Sequence, residues 1–147
     1  MIVLLDGGPL GLVSNPKATE AGRDCREWMK GLIARGVRVC LPEIIDYELR
    51  RELLRADKVH GLARLDLLKS SIHYLPITTQ IMLEAAELWA HVRRRGLPTA
   101  DAKALDCDVI LAAQALAVHG IVATENVDHL SRLVSAKHWR DITPSQG

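Results

Sequence analysis

Residues 106–130 read DCDVILAAQALAVHGIVATENVDHL, and this stretch decides the fold class. Asp106 and Asp108 open it, and an apolar segment from Val109 to Val118 follows with Gln114 as its only polar member. A helix apolar on almost every side must be buried all round. His119-Gly120 ends the segment, Ile121-Val122-Ala123 supplies a short strand, and Thr124 to Asp128 is a polar turn with two more acids. Acids in a helix's first turn face free backbone N–H groups and the positive end of the dipole, so Asp106 and Asp108 are expected there. In open α/β sheets ligands bind outside the carboxyl ends of the strands. The stretch therefore predicts an acidic pocket on a parallel sheet.

Upstream, Ile2-Val3-Leu4-Leu5 is the continuous apolar run of a central parallel strand covered on both faces. It ends at Asp6, ahead of the sharp turn Gly7-Gly8-Pro9 and a short helix with Leu10 and Leu12. A helix over about 18–34 places Cys25, Trp28, Met29, Leu32 and Ile33 on one face. Gly36 stops it, and Val37 to Leu41 reads as a strand ended by Pro42. A helix over about 43–55 turns Ile45, Leu49, Leu53 and Ala56 inward, and another over about 59–71 repeats Leu62, Leu65 and Leu68. His73 to Ile77 is a third strand, and Thr78 or Thr79 caps a helix to about Arg94 with Met82, Ala85, Ala86 and Trp89 inward. A loop at 96–99 leads to Asp101; after Asp128 a helix to about Leu133 and an edge strand at Trp139 to Ile142 close the chain before a frayed tail. Five short strands alternating with helices predict one domain, 1–147, an α/β sandwich with a mainly parallel five-stranded sheet.

Composition narrows the classes of function. Hydrophobic residues at 48% and charged ones at 25% exclude disorder, and the absence of Phe leaves the core to Leu, Ile, Val and Ala. Nineteen basic against eighteen acidic residues exclude a strongly basic nucleic-acid binder but allow a local basic patch. Cys25, Cys40 and Cys107 form no CxxC pair, and with no leader pattern they are expected to be reduced, buried thiols in the cytoplasm. No apolar run approaches the roughly 20 residues of a membrane span.

Three acids stand at element boundaries far apart in sequence: Asp6, Glu48 and Asp108. A parallel sheet can gather such positions at one edge. Carboxylates without His or Cys suit a hard cation, Mg²⁺ or Mn²⁺, rather than zinc. An ion with open positions lowers the pKa of an attacking water and neutralises charge on a phosphodiester. Each acid alone also fits a structural role: Asp106 and Asp108 as caps, Glu48 as a partner of Arg51, Asp128 as the cap of the last helix. Asp6 differs, because a charge ending a buried strand needs a partner or an ion. Periodicity does not choose between Glu48 and Glu52. The GxxxxGK[ST], HExxH and GxSxG patterns are absent, as is DxDx[TV] after the first strand. Arg93-Arg94-Arg95 fits a solvated helix end better than an RNA contact.

At these residues the sequence resembles the PIN-domain ribonucleases, most closely the VapC-like toxins of prokaryotic type II toxin–antitoxin pairs. IVLLDGGPLG resembles the family's first strand, its Asp and the small-residue turn after it, which matches Asp6. LPEIIDYELRREL resembles the family's proline, six-residue step, glutamate and leucine, which selects Glu48 over Glu52. The stretch 106–130 resembles the family's D-x-x-I-A-A helix and its strand ending in Thr, which matches Asp108 as third acid and Thr124 at the strand end. Gly7 departs from the Ser or Thr of many members, and Asn126 stands where many carry a fourth Asp, with Asp128 the nearest substitute. The resemblance implies a PIN-like α/β/α fold and a Mg²⁺- or Mn²⁺-dependent endoribonuclease. Asp6, Glu48 and Asp108 would be its catalytic and metal-binding acids, with Asn126 or Asp128 as a further ligand. It also implies a cognate antitoxin that masks the acidic pocket, and a homodimer. Two other readings stand beside it: a PIN-fold nuclease of RNA processing or DNA repair, and a non-catalytic protein- or RNA-binding module.

Overall fold

The computed structural model describes residues 1–96 and 102–144; the expected loop at 97–99, Asp101 and the last residues of the tail lie outside them. β1 (Ile2–Leu5) is the centre of a five-stranded sheet that also contains β2 (Arg38–Pro42), β3 (His73–Leu75), β4 (Ile121–Thr124) and β5 (Ala136–His138). The strand order is β3-β2-β1-β4-β5, and every neighbouring pair is parallel. Val3, Leu4 and Leu5 are each fully buried. Successive strand residues face opposite ways, so both faces of β1 are covered, as its unbroken apolar run requires. The chain passes from β1 outward to β2 and β3, then returns across β1 to lay down β4 and β5. The order therefore reverses at β1, and the crevice beyond its carboxyl end is where an open α/β sheet binds ligands.

The helices are α1 (Gly7–Ser14), α2 (Glu20–Ala34), α3 (Glu43–Arg55), α4 (Val59–Ser71), α5 (Thr79–Arg95), α6 (Ala102–Ala117) and α7 (Val127–Leu130). Thr19 and Thr78 cap α2 and α5 through their hydroxyls, accepting from the Gly22 and Ile81 N–H groups. Gly36 (φ 82°) and Gly96 (φ 63°) end α2 and α5 in the left-handed region, where a Cβ would be strained. No described helix is long and apolar enough to cross a membrane.

Gln114, the polar break in α6, is fully buried and has two partners. Its amide donates to the Leu75 carbonyl at 2.7 Å, and its Oε1 accepts from the Ile44 N–H at 3.5 Å. One side chain thus ties α6 to the end of β3 and the start of α3. A buried amide must be satisfied in this way, and here the bonds set the two helices that carry Asp108 and Glu48 against each other.

Several expectations are corrected. Asp106 and Asp108 do not open α6: Ala102 precedes them, the first turn carries no acid, and neither is a cap. Ala102 to Leu105 are good helix formers, so the helix runs back past the acids. α6 is not buried to its end, since Leu116 is 44% exposed. On α5 Ala85 faces inward as expected, but its companions in the buried stripe are Ile81 and Val92, and Met82 and Trp89 face outward with Ala86. Apolar residues crowd that helix, so two registers compete in the sequence and packing selects one. Ile33 and Ala56 are also exposed. Pro42 belongs to β2, and α7 ends at Leu130. The last strand is Ala136–His138, while Trp139–Asp141 is a 3₁₀ turn. In such a turn residues three apart eclipse, so Trp139 and Ile142 are buried together, 2% and 3% exposed.

Candidate active site

Asp6 follows β1 directly, and its N–H extends the sheet by donating to the Ala123 carbonyl at 3.0 Å. It occupies the N-cap of α1, yet its side chain makes no capping bond. The carboxylate accepts instead from the Thr124 hydroxyl at 2.7 Å. Thr124 Oγ1 in turn accepts from the Asn126 N–H at 2.9 Å. The ends of two adjacent parallel strands are thereby joined through side chains, and the turn after β4 is fixed to Asp6.

Glu48 reaches this edge from α3 and Asp108 from α6. Burial pushes the Glu48 carboxyl up, a hydrogen bond from the Cys107 thiol opposes the rise, and the negative charge of Asp6 adds to it. Asp108 is pushed up to about 6, first by burial and then by the charges of Asp6 and Glu48, with His129 acting in the opposite sense. The Cys107 thiol rises to about 12 through burial and the neighbouring Glu48. Glu48 and Asp108 are thus both partly desolvated and both raised by the charge of Asp6, and Asp108 also by that of Glu48. Glu52 is not brought there; it is exposed and pairs with Arg55 at 2.8 Å. Asp106 is exposed too.

The polar turn is laid out differently from the three acids. Asn126 is the N-cap of α7, without a side-chain capping bond, and Asp128 lies in that helix's first turn; both are exposed. Glu125 rests on Gly8, where an added Cβ would lie 3.1 Å from its Cγ, and accepts from Trp139 Nε1 at 3.3 Å. Cys107, His129 and Glu125 were not singled out from the sequence as site neighbours. The only signal for the first two was their spacing, one residue from Asp108 and one from Asp128.

The donors are hard oxygens with unneutralised charge, the kind of set that suits Mg²⁺ or Mn²⁺. Among the described residues no three His, Cys, Asp or Glu side chains are already gathered around a single point. The residues fit such an ion in chemistry and charge.

The order of the parallel sheet reverses at β1, Asp6 stands directly after that strand, and its charge acts on Glu48 of α3 and Asp108 of α6. Residues 17–134 match the model of the PIN domain, and the chain belongs to that family. The matched residues include Glu48, Asp108, Asn126 and Asp128; Asp6 precedes them. No curated protein matches the chain in sequence. Among solved structures, VapBC2 from Rickettsia felis, bound to a DNA fragment from its promoter, is similar with a TM-score of 0.75 at 19% identity, over 95% of this chain and 99% of that one. VapBC-1 from nontypeable Haemophilus influenzae has a TM-score of 0.70 at 18% identity, over 96% of this chain and 100% of that one. FitAcB from Neisseria gonorrhoeae has 0.68 at 18% identity, over 95% and 99%. At these identities the likeness is one of fold.

Proposed function

We propose that this chain is a Mg²⁺- or Mn²⁺-dependent endoribonuclease, the toxin of a type II toxin–antitoxin pair. The observation that carries the reading is the membership of the PIN family together with the position of Asp6 at the end of the central strand, held there by Thr124, with Glu48 and Asp108 near enough to feel its charge. Asp6, Glu48 and Asp108 would hold the ion, with Asn126 or Asp128 completing its surroundings. Such an ion supplies an acidified water and neutralises charge on the phosphodiester. The chain's own residues orient the site: Thr124 fixes the Asp6 carboxylate, Cys107 donates to Glu48, and Gln114 holds α3 and α6 in place. An antitoxin partner belongs to the same reading, supported by the fold shared with structures described as VapBC and FitAcB, and a homodimer is proposed with it. An uncompensated cluster of carboxylates is a ready site for an antitoxin arginine, because a guanidinium pairs with carboxylate bidentately.

The test is incubation of the purified chain with total RNA, with and without Mg²⁺. Cleavage that requires the ion, and that Asp6→Asn and Asp108→Asn abolish while the fold persists, is the expected result. Equal cleavage by parent and variants would refute a catalytic role for these acids.

A further inference from the structure

Beside Glu48, α3 carries an exposed layer of one cation on one ring. The Arg51 guanidinium lies 5.0 Å from the centre of the Tyr47 ring, and Tyr47 is 54% exposed. Arg51 is three residues from Glu48, a spacing that makes side chains neighbours on a helix surface, and its charge reaches Glu48 and Cys107. A groove of about 630 Å³ leads from this layer to Tyr74 on β3 and Lys69 on α4. There the Lys69 ammonium sits 4.6 Å over the Tyr74 ring. Both tyrosines of the chain line this one groove.

The acids of the groove are already engaged. Glu43 accepts from the Tyr74 hydroxyl at 2.9 Å and the Ile77 N–H at 2.8 Å. Asp46 is gripped by Arg50 at 3.0 and 3.2 Å, and Arg50 also reaches Asp66 at 2.8 Å. Arg51 and Lys69, by contrast, make no ion pair among the described residues. What remains on offer is two cations, each lying over an aromatic ring. Stacking surfaces interleaved with cations are how proteins hold single-stranded nucleic acid, since every unpaired base has a π-face and every linkage a charge. A duplex keeps its bases stacked on each other and cannot use the rings.

We propose that this groove binds the single-stranded RNA segment adjoining the scissile phosphate, with bases stacked on the Tyr47–Arg51 layer and on Tyr74, and phosphates paired to Arg51 and Lys69. The inference rests on the nuclease reading and assigns the side of the acids on which the strand lies.

The test measures binding of a labelled single-stranded RNA of about 12 nucleotides to the full chain in EDTA, by anisotropy across a salt series. Tyr47→Ala, Arg51→Gln and Lys69→Gln should each raise Kd about 5- to 10-fold, and each lost cation should lower the salt slope by about one. Tyr47→Phe, which keeps the ring, should bind like the parent, and a duplex of the same sequence should bind weakly and respond little. Unchanged affinity and slope in the Arg51→Gln, Lys69→Gln double variant would overturn the proposal. So would unchanged RNA affinity together with lost self-association in sedimentation, which would make the groove a contact between copies. If the parent cleaves RNA while the groove variants bind like it, the inference alone fails. If the parent neither cleaves with Mg²⁺ nor binds in EDTA, the nuclease reading fails with it.

Discussion

Thr124 and Asp6 are 118 residues apart in sequence and joined by a 2.7 Å hydrogen bond between their side chains. Thr124 is fully buried, and its oxygen also receives the Asn126 N–H. A hydroxyl can donate one bond and accept others at the same time, which is why a Thr serves here and a Val of equal shape would not. Thr124→Val strips a donor from Asp6 and an acceptor from Asn126. It should cost about 1–3 kcal/mol in urea unfolding and raise several-fold the Mn²⁺ needed for RNA cleavage, whereas Thr124→Ser should retain most of both. A Val variant matching the parent in stability and in Mn²⁺ titration would show that this bond orients nothing.

Asp108 gives a pH dependence whose sign is fixed. Its carboxyl moves from an ordinary 3.8 to about 6 in the fold. Below about pH 4 it is protonated in folded and unfolded chains alike and costs nothing. Between there and about 6 the unfolded chain releases the proton while the fold keeps it, so raising the pH favours unfolding. Above that range the penalty is complete. Asp108→Asn removes it, so in EDTA at pH 7 the variant should be the more stable by about 1–2 kcal/mol, with the gap closing near pH 4. Mn²⁺ should then stabilise the parent more than the variant. Parallel stability curves for the two proteins from pH 4 to 7 would contradict this account.

Gly8 and Glu125 should be energetically coupled. An added Cβ on Gly8 would stand 3.1 Å from Glu125 Cγ and Oε2, tighter than an ordinary contact, while Trp139 holds the same carboxylate from its other oxygen. In a helix Ala is intrinsically better than Gly by about 0.5–1 kcal/mol. Gly8→Ala should therefore destabilise the parent but stabilise a Glu125→Ala background. Denaturation of the four proteins in a double-mutant cycle measures the coupling, and additive effects would mean that Glu125 yields without cost.

The legible parts of this molecule were those where one physical demand dominated. Val3 to Leu5 had to be a doubly covered strand because no half-exposed strand tolerates such a run, and the structure buries all of it. Gly36 and Thr78 marked helix ends through conformations and bonds that few residues supply. The start of α6 was misplaced because acids are good caps in general, while Ala102 to Leu105 propagate helix just as well. The 3₁₀ turn at Trp139 stands where a strand is expected, because four residues are too few for periodicity to separate the two. At the site, the resemblance chose Glu48 over Glu52 where periodicity could not, and the structure leaves Glu52 outside with Arg55. The thiol of Cys107 beside Glu48 and the approach of His129 to Asp108 depend on how α3, α6 and α7 meet, which no local pattern encodes.

The polar turn carries the last prediction. Asn126 caps α7 by position, but its side chain makes no capping bond, and its N–H is pinned to Thr124 Oγ1, which is itself bonded to Asp6. The backbone of Asn126 is thus tied to the acid that ends β1, while its amide is not engaged in capping. Asp128 is two residues further on, in the first turn of α7, where a carboxylate already gains from the free N–H groups and needs no ion. A ligand at Asn126 contributes a neutral carbonyl, so the site holds less negative charge than one with a fourth acid and should bind a second ion weakly. Asn126→Asp should lower the Mn²⁺ concentration that gives half-maximal cleavage, and Asn126→Ala should raise it by a few-fold. Asp128→Ala should leave that midpoint unchanged and reduce stability by about 0.3–1 kcal/mol through the helix terminus. If the midpoint moves with Asp128→Ala and stays fixed in both Asn126 variants, the ligand position belongs to Asp128, and the tie through Thr124 serves only to shape the turn.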